Sequence, residues 1–246
     1  MITIKMKKVH IAVIGAHIGD AEITAGHLVC KYVQAGHKAT IISLTAGEKG
    51  NPKLSPETYK KQKVRETAAS AKLWGCAVRV LNYKDGETEI TKDAKLAVTD
   101  IIREIKPDIV LTHWKGSFHK DHRNTYYIVE EAVFYAALPG IKTKFPPWSV
   151  KQLYYTDNWE DPVGYTPNVF INIDEKAYNL WVKGCRKHAL FRGEVASFDY
   201  LEYYKALTVV RGAKLRYKRA VAVMVPEFSN FRRYDFFPAD ETMEIF

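Results

Sequence analysis

The sequence predicts an α/β fold: a Rossmann-like open, mostly parallel sheet with helices on both faces and an elaborated C-terminal part. Three observations carry this. Short apolar, β-branched runs recur through the first half of the chain. Amphipathic segments with helical spacing fall between them. Strand and helix alternate four times at intervals of about 30 residues, the length of a right-handed βαβ unit.

The elements follow in order. VHIAVIGA (residues 9–16) is a buried parallel strand ending at glycine. DAEITAGHLVCKYVQAGH places Ile23, Leu28 and Val33 on a helical face and stops at Gly36. KATIISLTAG is a second strand. SPETYKKQKVRETAASAKLWG opens on a capping serine with proline at the first helical position and closes on Gly75. AVRVLNY is a third strand, TKDAKLAVTDIIREIK a helix stopped before Pro107, and PDIVLTH a fourth strand. Past Pro139 the alternation loosens. KFPPWSVKQLYYTD, NVFINID and RAVAVMVPEF read as strands, and EKAYNLWVKGCRKHALFRGEV as one helix. With no repeat, linker or low-complexity tract, residues 1–246 are expected to form one domain, with a Rossmann-like core over 1–140.

Composition narrows the function classes. The 246 residues are 47% hydrophobic and 13% aromatic, enough for a large core. No run of about 18 apolar residues marks a membrane span. The start, MITIKMKKVHIAVIGAH, has basic residues before an apolar stretch, but that stretch is short and is expected to be the first strand, not a signal peptide. Cys30, Cys76 and Cys185 are scattered and odd in number, which points to reduced thiols and a cytoplasmic protein. The net charge of +9 is spread along the chain and points to a solvated surface or attraction of anionic small molecules, not to nucleic acid.

In an open parallel sheet, ligands bind at the carboxyl ends of strands. Those ends hold His17, Asp20 and Glu22 after the first strand, Glu48 in TAGEKGN after the second, and His113, His119, Asp121 and His122 after the fourth. Imidazole and carboxylate are zinc donors, and a catalytic zinc takes three protein groups and leaves a position for water. A plain structural alternative exists for each cluster: His17 packs, Asp20 caps the following helix, and HKDH is a polar loop. Two such clusters at matching strand ends favour the metal. A dinucleotide site would want G-x-G-x-x-G, but the corner reads GAHIGDAEITAG, with His17 where a pyrophosphate should approach. No G-x-S-x-G elbow is present.

These residues resemble the PIG-L/LmbE-like zinc-dependent N-acetylglucosaminyl deacetylases. AHIGDAEITAGH stands for that family's Ala-His-Pro-Asp-Asp-(Ala)-Glu motif, TAGEKG for Thr-x-Gly-Glu-x-Gly, and HKDH for His-x-Asp-His. Arg65 in VRETAASAKLWG matches a helix arginine. The likeness covers roughly the first 140 residues. Later, where many members carry a His and a Ser-Gln pair, only KHALFRGEVASF is found.

The resemblance implies that His17, Asp20 and His122 hold Zn2+. It makes His119 the general acid or oxyanion stabiliser, with Asp121 orienting its ring, and turns Arg65 and Glu48 toward the substrate. Residues 141–246 would shape the substrate site. The implied reaction removes the acetyl group from an N-acetylated amino sugar or its conjugate, and the implied assembly is a homo-oligomer, a trimer or hexamer. The family's general base is the first Asp of its pair, and that position here is Gly19, with Ile18 in place of proline. Asp121, Glu22 or Glu48 could substitute as base. The alternatives are metal and carbohydrate binding without efficient deacetylation, or hydrolysis or lyase chemistry on another carbohydrate. Tyr126, Tyr127, Trp148 and Trp159 are aromatic candidates for stacking on sugar rings or for ordinary packing.

Overall fold

The computed structural model describes residues 8–226. Seven strands form one sheet: β1 (His10–His17), β2 (Lys38–Thr45), β3 (Ala77–Tyr83), β4 (Ile109–Thr112), β5 (Gln152–Thr156), β6 (Val169–Asn172) and β7 (Ala220–Met224). Their spatial order is β3-β2-β1-β4-β5-β7-β6. The first five in that order run parallel, and β7 pairs antiparallel with both β5 and β6. The mostly parallel sheet expected from the sequence is therefore present, and the C-terminal half extends it.

Strand β1 is buried on both faces, so its side chains feed two separate cores. Ile11 and Val13 pack with residues of α1 (Asp20–Gln34), α2 (Pro56–Trp74), α5 (Glu175–Cys185) and α6 (Tyr200–Ala213), including Leu28, Trp74, Trp181 and Tyr204. Ala12 and Ile14 pack on the other side with Val98 and Ile102 of α3 (Lys92–Ile105) and Ile128 and Val129 of α4 (Lys120–Ala137). Helices thus cover both faces. Helix α2 starts and stops as read, with the Ser55 side chain accepting from the Thr58 amide and Gly75 closing the helix at φ 76°.

Three elements differ from expectation. The long helix read over residues 175–195 ends at Cys185, and a short 3-10 turn, Leu190–Arg192, follows. There His188 turns inward to Ser70 Oγ at 2.9 Å, and the Ala189 amide donates to Glu66 Oε1. These contacts replace the next helical turn. Helix α4 grows directly out of the HKDH segment, capped by a histidine in place of the usual serine or aspartate. Helix α6 is a further helix in the region where the pattern loosened; its Thr208-Val209-Val210 run weakens the local helix signal. Among the described residues no helix is long and apolar enough to cross a membrane. Cys30, Cys76 and Cys185 are free thiols.

One buried cation ties the α3–α4 pair to the segment leading into β5. Arg103 is 1% exposed and donates to the carbonyls of Tyr135, Ala136, Leu138, Ile141 and Phe145 and to Thr143 Oγ1. Its removal takes the charged donor from carbonyls at the α4 C-terminus that otherwise keep one backbone N–H each, Leu138 for Tyr135, Trp148 for Ala136 and Ile141 for Leu138. Arg103→Leu is expected to destabilise the fold by about 3 kcal/mol and lower the thermal midpoint by roughly 6–12 °C. A midpoint within 2 °C of wild type, roughly the smallest shift a 1 kcal/mol change produces, would show that the backbone donors satisfy those carbonyls without the guanidinium.

Candidate metal centre

The strand order reverses at β1, so the carboxyl ends of β1 and β4 open a crevice between helices of opposite faces. Strand β1 ends in His17, and the chain turns through Gly19 into α1. Gly19 is the N-cap, at φ 114°, and its N–H donates to Glu22 Oε2 at 2.9 Å. Asp20 is therefore the first helical residue and not the cap, which leaves its carboxylate free to fold back on β1: Oδ2 accepts the His17 N–H at 2.8 Å. Across the crevice, His119 caps α4 and places His122 on its first turn.

The three donor atoms converge. Asp20 Oδ2 lies 3.2 Å from His17 Nδ1 and 3.2 Å from His122 Nε2, and those two nitrogens are 3.2 Å apart. Donors at about 2.0–2.1 Å around a tetrahedral zinc stand about 3.3 Å from one another. The near-equilateral triangle fits a single ion. The far nitrogen of each imidazole is held by carboxylate: His17 Nε2 is 3.2 Å from Asp85 Oδ1 and 3.3 Å from Asp121 Oδ2, and His122 Nδ1 is 2.9 Å from Glu160 Oε2. Carboxylates on the outer nitrogens fix the tautomers that aim both lone pairs at Asp20.

The electrostatics agree with a cation site. Burial alone would raise the Asp20 carboxyl, yet His122 and His17 hold it well below the ordinary range. Burial opposes protonation of His17 and His122 as well, but Asp20 and its companion carboxylates hold His17 well above its ordinary value and raise His122 to about 9. Positive charge is what these groups call for, and a divalent ion would displace those protons.

His113, delivered by β4, stacks on His122 with ring centroids 4.0 Å apart and stands 3.2 Å from Asp20 Oδ2. Its Nε2 accepts the Ala16 N–H, and burial lowers its pKa to about 4. His119 is half-buried on the pocket wall. Its Nδ1 accepts the Asp121 N–H at 3.2 Å, which puts its ring proton on Nε2. Burial first, then His122 and His17, lower its pKa.

Several positions differ from expectation. The Asp121 carboxylate serves His17 and the Gly86 N–H (2.7 Å); only its backbone reaches His119. Arg65 lies on the exposed side of α2, off the pocket wall, and Lys63, two residues earlier, lines the pocket in its stead. Glu48 is buried one layer behind, where Oε1 accepts the Asp85 N–H at 3.1 Å. Glu22, fully buried, is engaged by Thr67 and Gly19. Apart from Asp20, the carboxylates on the wall are Asp85 and Glu160, neither of which stands in a recognisable motif. Of the candidate aromatics, Trp159 lines the pocket, Tyr126 and Trp148 pack with the second core, and Tyr127 is exposed on α4.

Residues 12–133 match the PIG-L family, described as GlcNAc-PI de-N-acetylase. The chain is 22% identical to the 4-oxalmesaconate hydratase of Pseudomonas putida, over 83% of this chain and 80% of that protein. It is 25% identical to the diacetylchitobiose deacetylase of Thermococcus kodakarensis, over 76% and 78%. The solved structure of the Pseudomonas putida 4-carboxy-2-hydroxymuconate hydratase superposes with a TM-score of 0.82 at 19% identity, covering 95% of this chain and 100% of that one.

Two substitutions test the geometry. Glu160→Gln, which weakens the hold on His122 Nδ1, is expected to reduce zinc affinity about 10–100-fold in a competition titration. Unchanged affinity would show that Asn158, 3.4 Å from the same nitrogen, orients the ring by itself. At Gly19 a side chain meets both a left-handed backbone and the Phe191 ring, whose Cζ would stand 3.2 Å from a new Cβ. Gly19→Asp is expected to cost about 1–2 kcal/mol and to lower the thermal midpoint by roughly 2–8 °C. A midpoint at or above wild type would show that the corner relaxes to accept a carboxylate.

Proposed function

Because this chain carries a PIG-L-family domain over residues 12–133, we propose that it is a zinc-dependent hydrolase removing the acetyl group from an N-acetylated amino sugar or its conjugate. The observation that carries the reading is the triangle of His17 Nδ1, Asp20 Oδ2 and His122 Nε2 at 3.2 Å on each side, open to a pocket that His119 also lines. A zinc held there supplies a Lewis acid for the acetyl carbonyl and lowers the pKa of water toward about 7.

The chain's own residues do the rest. Asp121, Asp85 and Glu160 stand against the outer nitrogens of His17 and His122, so an ion that displaces the inner protons would meet both inner lone pairs. His119 offers an Nε2–H to the oxyanion that develops on the acetyl oxygen. Trp159 and Tyr200 form the aromatic side of the pocket, suited to a sugar face.

A second reading rests on Gly19. With no carboxylate where the family's base stands, water addition to an unsaturated carboxylate is the competing chemistry, in keeping with the hydratase relative.

Zinc-loaded protein assayed for acetate release against a panel of N-acetylglucosamine derivatives is expected to turn over at least one, and His119→Ala to cut that rate about 10²-fold or more while zinc content holds. No acetate from any member, with hydration of an unsaturated dicarboxylate instead, would overturn the hydrolase in favour of the second reading. Loss of zinc from His119→Ala would make that residue a ligand.

A further inference from the structure

Lys63 is the unexplained charge of the pocket. Its side chain is 5% exposed, yet it lines the same cavity as His17, Asp20 and His119. It forms no ion pair among the described residues; its hydrogen bond is a long one, 3.5 Å, to the Gly47 carbonyl. Its Nζ stands over the Tyr59 ring, 5.5 Å from the centroid. A buried ammonium held by one long hydrogen bond and a ring face is unfavourable unless something charged meets it.

The backbone is shaped to bring that ammonium to the metal triangle. Gly47, at φ 68°, lies between them: a Cβ there would stand 2.6 Å from Lys63 Nζ and 3.0 Å from His17 Cβ. Any side chain at this position would push the lysine away from the pocket. Asp20, Asp85, Glu22 and Glu66 lie close enough to favour its charge, while burial lowers its pKa. Asp85, which lines the same pocket, already has both oxygens engaged, Oδ1 with His17 Nε2 and Oδ2 with the Lys49 N–H at 2.8 Å. The lysine is left to face the cavity.

We propose that Lys63 is an anion-recognising residue: its ammonium receives a carboxylate or phosphate carried by the substrate, while the reacting group occupies the neighbouring metal triangle. The substrate is then an acidic compound, which a pocket with only neutral polar groups at this end would not select. The inference rests on the metal pocket described above and holds whether the chemistry there is deacetylation or hydration. The competing structural role is that Lys63 merely offsets the surrounding carboxylates.

The test is a binding experiment that needs no turnover. Zinc-loaded full-length protein is titrated calorimetrically with acetate, succinate and 3-phosphonopropionate. Wild type is expected to bind one or both two-headed anions about 10-fold or more tightly than acetate, the gain of a charge-assisted contact. Lys63→Met keeps the packed stem and is expected to erase that preference while acetate affinity stays within about 3-fold; Lys63→Arg is expected to restore most of it. An equal preference in wild type and Lys63→Met, or no binding of either two-headed anion to wild type, overturns the proposal. If Lys63→Met fails to fold, the same comparison with Lys63→Gln decides. Absence of acetate release from every sugar leaves this result untouched, so the two readings fail separately.

Discussion

One oxygen atom organises the pocket. Asp20 Oδ2 accepts the His17 backbone N–H and stands 3.2 Å from His17 Nδ1, His122 Nε2 and His113 Nε2, so three imidazoles from two strand ends and one helix share it. A buried carboxylate amid imidazoles requires a net cation for balance, and the compact donor triangle suits one divalent ion. The backbone pays for that convergence at two glycines. Gly15 must lack a side chain because a Cβ there would come within 2.9 Å of Asp20 Cβ, and Gly19 turns the chain at φ 114° so that Asp20 begins α1 facing back toward β1.

From that oxygen outward, each layer constrains the next. Asp121 and Asp85 hold the outer nitrogen of His17, and Glu160 holds that of His122. The Glu48 carboxylate and the Gly86 N–H in turn fix Asp85 and Asp121. Phe191 closes over Gly19, filling the place a second aspartate would need. The ring therefore links the C-terminal 3-10 turn to the chemistry at β1. The remaining titratable side chains that line the pocket are His119, Glu160, Asp85 and Lys63.

Much of this was legible in the chain. The apolar runs of β1 to β4 and the caps of α2 fixed the alternation, because local propensity and burial agree there. The grouping of His17, Asp20 and His122 was legible through the family resemblance, which rests on the AHIGDAE corner and the HKDH motif. What escaped detection depended on tertiary packing. Helix α4 was hidden by its histidine cap, and the break after Cys185 follows from His188 reaching Ser70 on another helix. Glu160 and Asp85 sit in loops with no motif. Lys63 and Arg65 are two residues apart on α2, so they point to different sides, and only the packing of α2 against the Gly47 turn shows that Lys63 faces the pocket.

The central claim is that Asp20, His17 and His122 form one metal site, and elemental analysis of purified protein tests it most directly. About one zinc per chain is expected after zinc loading and dialysis, with Asp20→Asn and His122→Ala each losing most of it, since two remaining donors make a weak site. Wild-type protein that retains no zinc and gains no thermal stability when zinc is added would show that these three side chains do not form a metal site.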